Sequence, residues 1–399
     1  MDPSFFANNR LKLSHVTKGG IIVIVAHTQM QRGNDAAFAF EQEANFWWLT
    51  GIDAPDWQLI IDGTRGKSWL VKPHVSDVHQ IFDGSLSPDD AQKVSGIDTV
   101  IDEDEAGRLL RDLAVKHSIV YSLGDHPGKE YFDFVVNPAA HKLYSSLSRI
   151  FSDVQDCRRE LSKLRAIKQP AEIAAIKKAI KLTIRAFQDT KVLLPDLKSE
   201  YEVEAEFTYA FRRAGAVGHA YDPIVAGGKN AVTLHYNTNK DRLKPNTLVL
   251  LDIGARAHGY AADITRTYAV GTPTARQVEV HQAVESAHKK IIKLLKPGLL
   301  IATYQDSVDE IMKAALSSLG LLQSPDDYRT YFPHAISHGL GLDVHDSLGG
   351  PTVFEAGMVL TVEPGIYIAE EAIGVRIEDD ILITEHGATN LSAALPTSL

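Results

Sequence analysis

Four carboxylates in the second half of the chain stand where a negative charge is costly. Asp252 ends the apolar run ThrLeuValLeuLeu and Asp263 follows AlaAla, while Glu363 interrupts ValLeuThrValGluProGlyIleTyrIle (359–368). The fourth, Glu378, lies in GlyValArgIleGluAspAsp (374–380). Burying such groups ionised is unfavourable unless positive charge compensates them. Imidazoles gather as well: His334, His338 and His345 fall within residues 333–347, and His235 stands in ThrLeuHisTyrAsn. A donor set rich in oxygen and nitrogen but free of thiols suits two hard or borderline divalent ions, manganese ahead of cobalt, zinc or iron. Two such ions would balance four carboxylates that must otherwise repel or protonate. Ions held this way can activate a water against a carbonyl.

Strands are the elements that must carry these groups. Residues 359–368 and 374–380 read as two strands with Glu363 on one and Glu378 on the other, and alternation sends Arg376 and Glu378 to one side. Gly254 and Gly259 punctuate a turn that sets Asp252 and Asp263 on flanking antiparallel strands. Ahead of these strands, Pro170 opens a helix with Ile173, Ile176, Ile180, Ile184 and Phe187 on one face. Ser199 and Glu202 make a capping box for a second helix lined by Val203, Phe207 and Phe211. A second pair of helices is expected from Thr272 and Pro273 to about Leu295 and from Thr303 to about Leu319. Two helix pairs, each tied to strand-rich sequence, suggest two similar halves.

The first 155 or so residues alternate short apolar runs (20–26, 57–61, 68–71, 118–123) with polar helical stretches such as 102–113, which predicts an α/β layer domain. It lacks a cluster of metal-type ligands, and Phe46, Trp47 and Trp48 are assigned to packing. The charged segment 156–165 marks the boundary, giving an N-terminal domain over 1–158 and a catalytic domain over 159–399.

At 399 residues, 44% of them hydrophobic, the chain can bury a sizeable core. Acidic residues outnumber basic ones 51 to 41, with no basic block to track a phosphate backbone, so nucleic acid is not an expected partner. The apolar run at 21–26 is too short to span a bilayer and no leader-like segment opens the chain, so a cytoplasmic protein without a membrane partner is expected. Cys157 is the only cysteine, which rules out an intramolecular disulfide and is read as an inert packed thiol.

The order Asp, Asp, His, Glu, Glu, in the contexts LeuAspIleGly, AlaAspIleThrArgThr, SerHisGlyLeuGlyLeuAspValHisAsp, ThrValGluProGlyIleTyr and ValArgIleGluAspAsp, resembles the pita-bread metallopeptidases that cut before proline. The resemblance covers essentially the whole chain. It implies an α+β fold: a pita-bread (creatinase/aminopeptidase-like) catalytic domain behind an α/β creatinase-type N-terminal domain. It implies Asp252, Asp263, His338, Glu363 and Glu378 as ligands of two divalent ions, with Asp263 and Glu378 bridging. Glu363 would relay a proton, His235 and His345 would contact substrate and steady the tetrahedral intermediate, and Tyr221, His334, Tyr367 and Arg376 would bind substrate or support the site. The substrate implied is a small peptide with proline second, and the assembly a homodimer. Two branches share these motifs. The HisAspSerLeuGlyGly segment (345–350) and the compact length favour the Xaa-Pro dipeptidase, with aminopeptidase P, acting on longer peptides, as the alternative and a non-catalytic pita-bread binding module as the remote one.

Overall fold

The computed structural model describes residues 1–124, 135–324 and 326–399, and divides into two compact units, Met1–Leu164 and Arg165–Leu399. The first unit is built on a six-stranded sheet of β1 (Ile21–Val25), β2 (Gln58–Asp62), β3 (Lys67–Val71), β4 (Val100–Ile101), β5 (Ile119–Ser122) and β6 (Asp153–Asp156), ordered β4-β3-β2-β1-β5-β6. β1 is buried along its whole length, which is why it reads as an unbroken apolar run rather than an alternation. The helix Glu103–Ala114 opens with a capping box between Asp102 and Glu105, and lays Ala106, Leu110 and Leu113 into the core beneath the sheet. Phe46 and Trp48, on the helix Ala44–Thr50, are fully buried, and Trp47 packs edge-on against Phe6, so this aromatic run belongs to the core of the unit. Cys157 is buried with its thiol 3.3 Å from the Ser122 carbonyl, and burial pushes that thiol above its ordinary pKa.

In the second unit the order of two helices followed by strands occurs twice. Helices Pro170–Leu193 and Glu200–Arg213 precede β7 (Gly218–His219), β8 (Ile224–Gly227), β9 (Thr247–Ile253), β10 (Ala255–Ala257), β11 (Tyr260–Ala261) and β12 (Ile264–Val270). Helices Ala275–Ile292 and Ile301–Ser318 precede β13 (Val359–Val362), β14 (Gly365–Ile368), β15 (Ile373–Arg376), β16 (Asp379–Thr384) and β17 (Gly387–Asn390). Ile176, Ile180 and Phe187 are buried as the periodicity predicts, while Ile173 and Ile184 are half-buried at the edge of that face. The third long helix starts at Ala275 rather than at Pro273, because Thr274 and Gln277 form its capping box. Val280, Val284, Ile291, Met312 and Leu316 of the second pair pack under Leu360, Val362, Ile366, Ile377 and Ile381 in one apolar cluster. None of the described helices is long and apolar enough to cross a membrane.

Two local features place the carboxylates. β9 and β12 pair antiparallel with Asp252 opposite Thr265, and Asp263 directly precedes β12. The chain between them forms the inner hairpin β10–β11, which turns at His258 and Gly259, both at positive φ. Gly254 is therefore not a turn residue. It serves close approach: a Cβ there would stand 1.9 Å from the Ala262 carbonyl. In the last strands, β13 pairs with β16 and β14 with β15, and the ladder is broken where the chain passes from one pair to the other. Glu363 and Glu378 occupy that break rather than strand interiors.

Candidate metal centre

Asp252, Asp263 and Glu378 are buried, and each offers a ligand oxygen within 4.8 Å of the others. Backbone pairing sets this convergence. The Glu378 amide donates to the Thr265 carbonyl at 3.1 Å, tying the break between β15 and β16 to β12, and the Glu363 amide donates to Ile336 at 3.0 Å. The Thr361 amide donates to the His338 carbonyl and the Leu340 amide to Val359, so residues 336–340 run beside β13 and bring His338 to the same face. His338, Glu363 and Glu378 form a second group within 4.8 Å, and Asp263, His338 and His345 a third. The five residues expected as ligands are thus drawn to one place.

The imidazole of His338 is oriented by its far nitrogen. Nδ1 lies 2.9 Å from the Gly339 carbonyl, leaving Nε2 toward Asp263 at 3.4 Å and Glu363 at 3.6 Å. Metal-binding histidines are held in this way, one ring nitrogen fixed on a carbonyl and the other presented. The His345 ring lies tilted against that of His338, centroids 4.2 Å apart, and is exposed. His235 is also exposed, and lies within electrostatic range of His334 and His345.

The remaining expected residues form supports. Arg376 is buried, and each of its three nitrogens donates within the protein: Nη2 to Asp252 at 2.6 Å, Nη1 to the Tyr367 hydroxyl at 2.9 Å and Nε to Thr265 at 3.2 Å. A guanidinium so engaged braces Asp252, which is the supporting one of the two roles expected for it. The Tyr367 hydroxyl is also 2.9 Å from His334 Nε2, and His334 Nδ1 is 2.7 Å from the Ala335 carbonyl. Burial pulls the His334 pKa down to about 4, so the ring is neutral. With Nδ1 donating to the carbonyl, Nε2 accepts from Tyr367, and the chain Arg376, Tyr367, His334 has a fixed direction. Tyr221 presents one hydroxyl to two acids, 2.5 Å from Asp252 and 2.6 Å from Asp263.

Positive charge is short at this face. One phenolic proton cannot serve both aspartates at once. Burial pushes Glu363 up to about 7 and Glu378 well above the ordinary carboxylate range, with the neighbouring acids adding to the rise at both. His338 shows the same deficit from the other side: burial would lower its pKa, but Asp263 and Glu363 hold it at about 9. Asp380, whose Oδ2 accepts the Asp263 amide at 3.2 Å, keeps a buried Oδ1 with no hydrogen-bond partner among the described residues. Oxygen donors crowded beyond their supply of cations are what divalent ions fit.

Two supporting residues escaped sequence reasoning. Thr265, fully buried, donates to Glu378 at 2.7 Å and accepts from Arg376; its position two after Asp263, hence on the same strand face, was the available signal. Thr361 accepts the His338 amide at 3.2 Å, and nothing in its strand context distinguishes it from an ordinary β-residue.

A buried face of acids and one presented imidazole, on strands that follow paired helices, defines a metallopeptidase of the pita-bread type. The model described as metallopeptidase family M24 matches residues 174–385, and that described as aminopeptidase P, N-terminal domain, matches residues 6–121; the chain belongs to metallopeptidase family M24. It is 34% identical to the Xaa-Pro aminopeptidase of Escherichia coli (strain K12), over 94% of this chain and 91% of that protein. Its fold is similar to the structure of aminopeptidase P from E. coli with the inhibitor Pro-Leu (TM-score 0.86, 32% identity, 100% of this chain and 96% of that one). It is likewise similar to proline aminopeptidase P II from Yersinia pestis (TM-score 0.85, 32% identity, 100% and 98%). The expected architecture, an α/β N-terminal domain ahead of a pita-bread catalytic domain, is borne out. These relatives' names favour the aminopeptidase branch over the dipeptidase expected from residues 345–350 and the compact length.

Proposed function

We propose that this protein is a metal-dependent Xaa-Pro aminopeptidase that removes the first residue of peptides with proline second. The observation that carries the reading is the meeting of Asp252, Asp263, His338, Glu363 and Glu378 on one cation-poor face, in a chain similar over nearly its whole length to enzymes of that name. Those five residues would hold two divalent cations, manganese first among them. When bound, the ions supply Lewis-acid polarisation of the scissile carbonyl and an acidified water.

The chain's own residues do the rest. Glu363 is the carboxylate that would take a proton from the water and pass it to the departing proline nitrogen. That nitrogen belongs to a tertiary amide with no N–H, so an enzyme cannot grip the bond through an amide proton and must act on carbonyl and leaving group. Arg376 holds Asp252 in place through its 2.6 Å contact. Neutral His334, aligned by Tyr367, and the exposed rings of His235 and His345 offer hydrogen bonds to the substrate and to the oxygen that gains charge. A free amino terminus seated beside Asp252 would restrict cleavage to the first bond.

Substrate length tests the reading. With manganese present, an Xaa-Pro-Yaa tripeptide is expected to have a kcat/KM at least about 10-fold above that of the Xaa-Pro dipeptide, whose terminal carboxylate would be desolvated beside a guanidinium already engaged by Asp252, Tyr367 and Thr265. A dipeptide cleaved faster than the tripeptide would overturn it in favour of the dipeptidase.

A further inference from the structure

His235 stands on a stretch with little regular structure. Between β8 and β9 the chain makes one 3-10 turn, Gly228–Val232, and then runs without helix or strand to Thr247. No hydrogen bond holds the His235 ring itself among the described residues, so its place is set by its backbone. That backbone is organised by a carboxylate. Glu200, the first residue of the helix Glu200–Arg213, is 0% exposed and faces no cation among the described residues. Its Oε1 accepts from the Gly227 amide at 2.9 Å and Asn230 Nδ2 at 2.8 Å. Its Oε2 accepts from the Tyr236 hydroxyl and the Asp241 amide, each at 2.8 Å.

Four donors, drawn from both ends and the middle of residues 227–241, thus converge on one side chain. Tyr236 is the neighbour of His235. A second brace comes from the next turn of the same helix: Glu204 accepts from Asn239 Nδ2 at 2.9 Å, while Asn239, held at positive φ, also accepts the Val225 amide and donates to the Pro223 carbonyl. The mechanism does not use Glu200. A buried, cation-free carboxylate is expensive, and four hydrogen bonds from one irregular segment are what compensate it.

We propose that Glu200 is a positioning residue for catalysis, a hub that fixes the loop carrying His235 so that its imidazole meets the substrate. This rests on the reading of His235 as a substrate contact given above. Glu200→Gln keeps the shape but replaces one acceptor oxygen with an N–H donor, so two of the four donors lose their partner. A displacement of about 1 Å in a group that orients substrate can cost up to about 10²-fold in rate.

The experiment is a double-mutant cycle on the manganese-loaded full chain, with an Xaa-Pro-Yaa peptide as substrate. Glu200→Gln is expected to lower kcat/KM by about 10- to 100-fold while the bound manganese stays as in the wild type. His235→Ala lowers it at least as far, and the double variant is no worse than His235→Ala alone, because Glu200 acts through that ring. Tyr236→Phe, which removes a single donor and spares the fold, shows the same non-additivity at a smaller scale. If Glu200→Gln multiplies the defect of His235→Ala, or acts by loss of metal, the positioning role is overturned while the reading of His235 stands. If His235→Ala has normal kcat/KM, the reading of His235 fails and the inference falls with it.

Discussion

Asp346 and Glu378 are carboxylates buried in the same unit and kept there by opposite means. Asp346 lies 2.9 Å from Arg165 Nη2 and 2.9 Å from Lys168 Nζ, both buried. Burial would raise its pKa, but the two cations outweigh that and hold it below the ordinary carboxylate range. Glu378 has Thr265 as its hydrogen-bond partner and three other acids around it, and burial with their charge drives it far up. Arg376, the guanidinium at that face, is committed to Asp252. A carboxylate matched to a protein cation serves the fold: Asp346 clamps the loop between His338 and His345, lying so close over Gly341 that a Cβ there would meet its Oδ2 at 2.0 Å. Carboxylates left unmatched and clustered await a cation from outside.

The contrast can be broken by removing one member from each side. Asp346→Ala strips Lys168 of its carboxylate and is expected to cost about 3 to 5 kcal/mol of stability, as breaking a buried ion pair does. Denaturant unfolding measures it, and a loss under 1 kcal/mol would show the clamp to be dispensable. On the other side, Glu363→Gln removes charge and proton transfer at nearly constant shape, so kcat should fall by about 10² or more with the melting temperature little changed. Near-normal turnover would move the proton relay elsewhere.

A smaller effect, in pH, sharpens the same contrast because the two regions slope oppositely. The folded value of Asp346 is depressed, so its stabilisation is present above the unfolded value near 3.9 and fades as pH falls through the folded one. In the ion-free protein, Glu363 at about 7 and Glu378, also raised well above the ordinary range, retain protons that unfolded glutamates release near about 4.3, so stability drops as pH rises through that window. His338, held at about 9, adds stability below its unfolded value and loses it as pH rises through 9. Chelated protein should therefore melt several degrees lower at pH 8 than at pH 5, of the order of 5 °C, and manganese should remove the difference. A chelated melting temperature that is flat or rising over that range would contradict the charge deficit.

Sequence disclosed the ligand types because each sits in an apolar run where a charge needs a reason, and the helices because their caps and periodicity are local. It did not disclose how the strands break. Glu363 and Glu378 were placed within strands by alternation, whereas the ladder is interrupted at both, and only pairing with β12 and with residues 336–340 reveals this. The role of Arg376 stayed open between substrate contact and support because its partners Asp252 and Thr265 lie more than a hundred residues away. Glu200 looked like any acid in a first helical turn, and its four donors are all in later sequence. β4 and β6 are two and four residues long, and β6 carries Asp, Gln and Asp, so neither has an apolar pattern to read.

The central claim is that the unmatched carboxylates form one site for two ions. Equilibrium dialysis of chelator-stripped protein against manganese, followed by elemental analysis, tests it directly. The wild type is expected to bind two ions per chain, and Asp263→Ala and Glu378→Ala are each expected to weaken both together if each carboxylate serves both ions. A wild type that binds none, or either variant retaining two ions at unchanged affinity, would contradict the account.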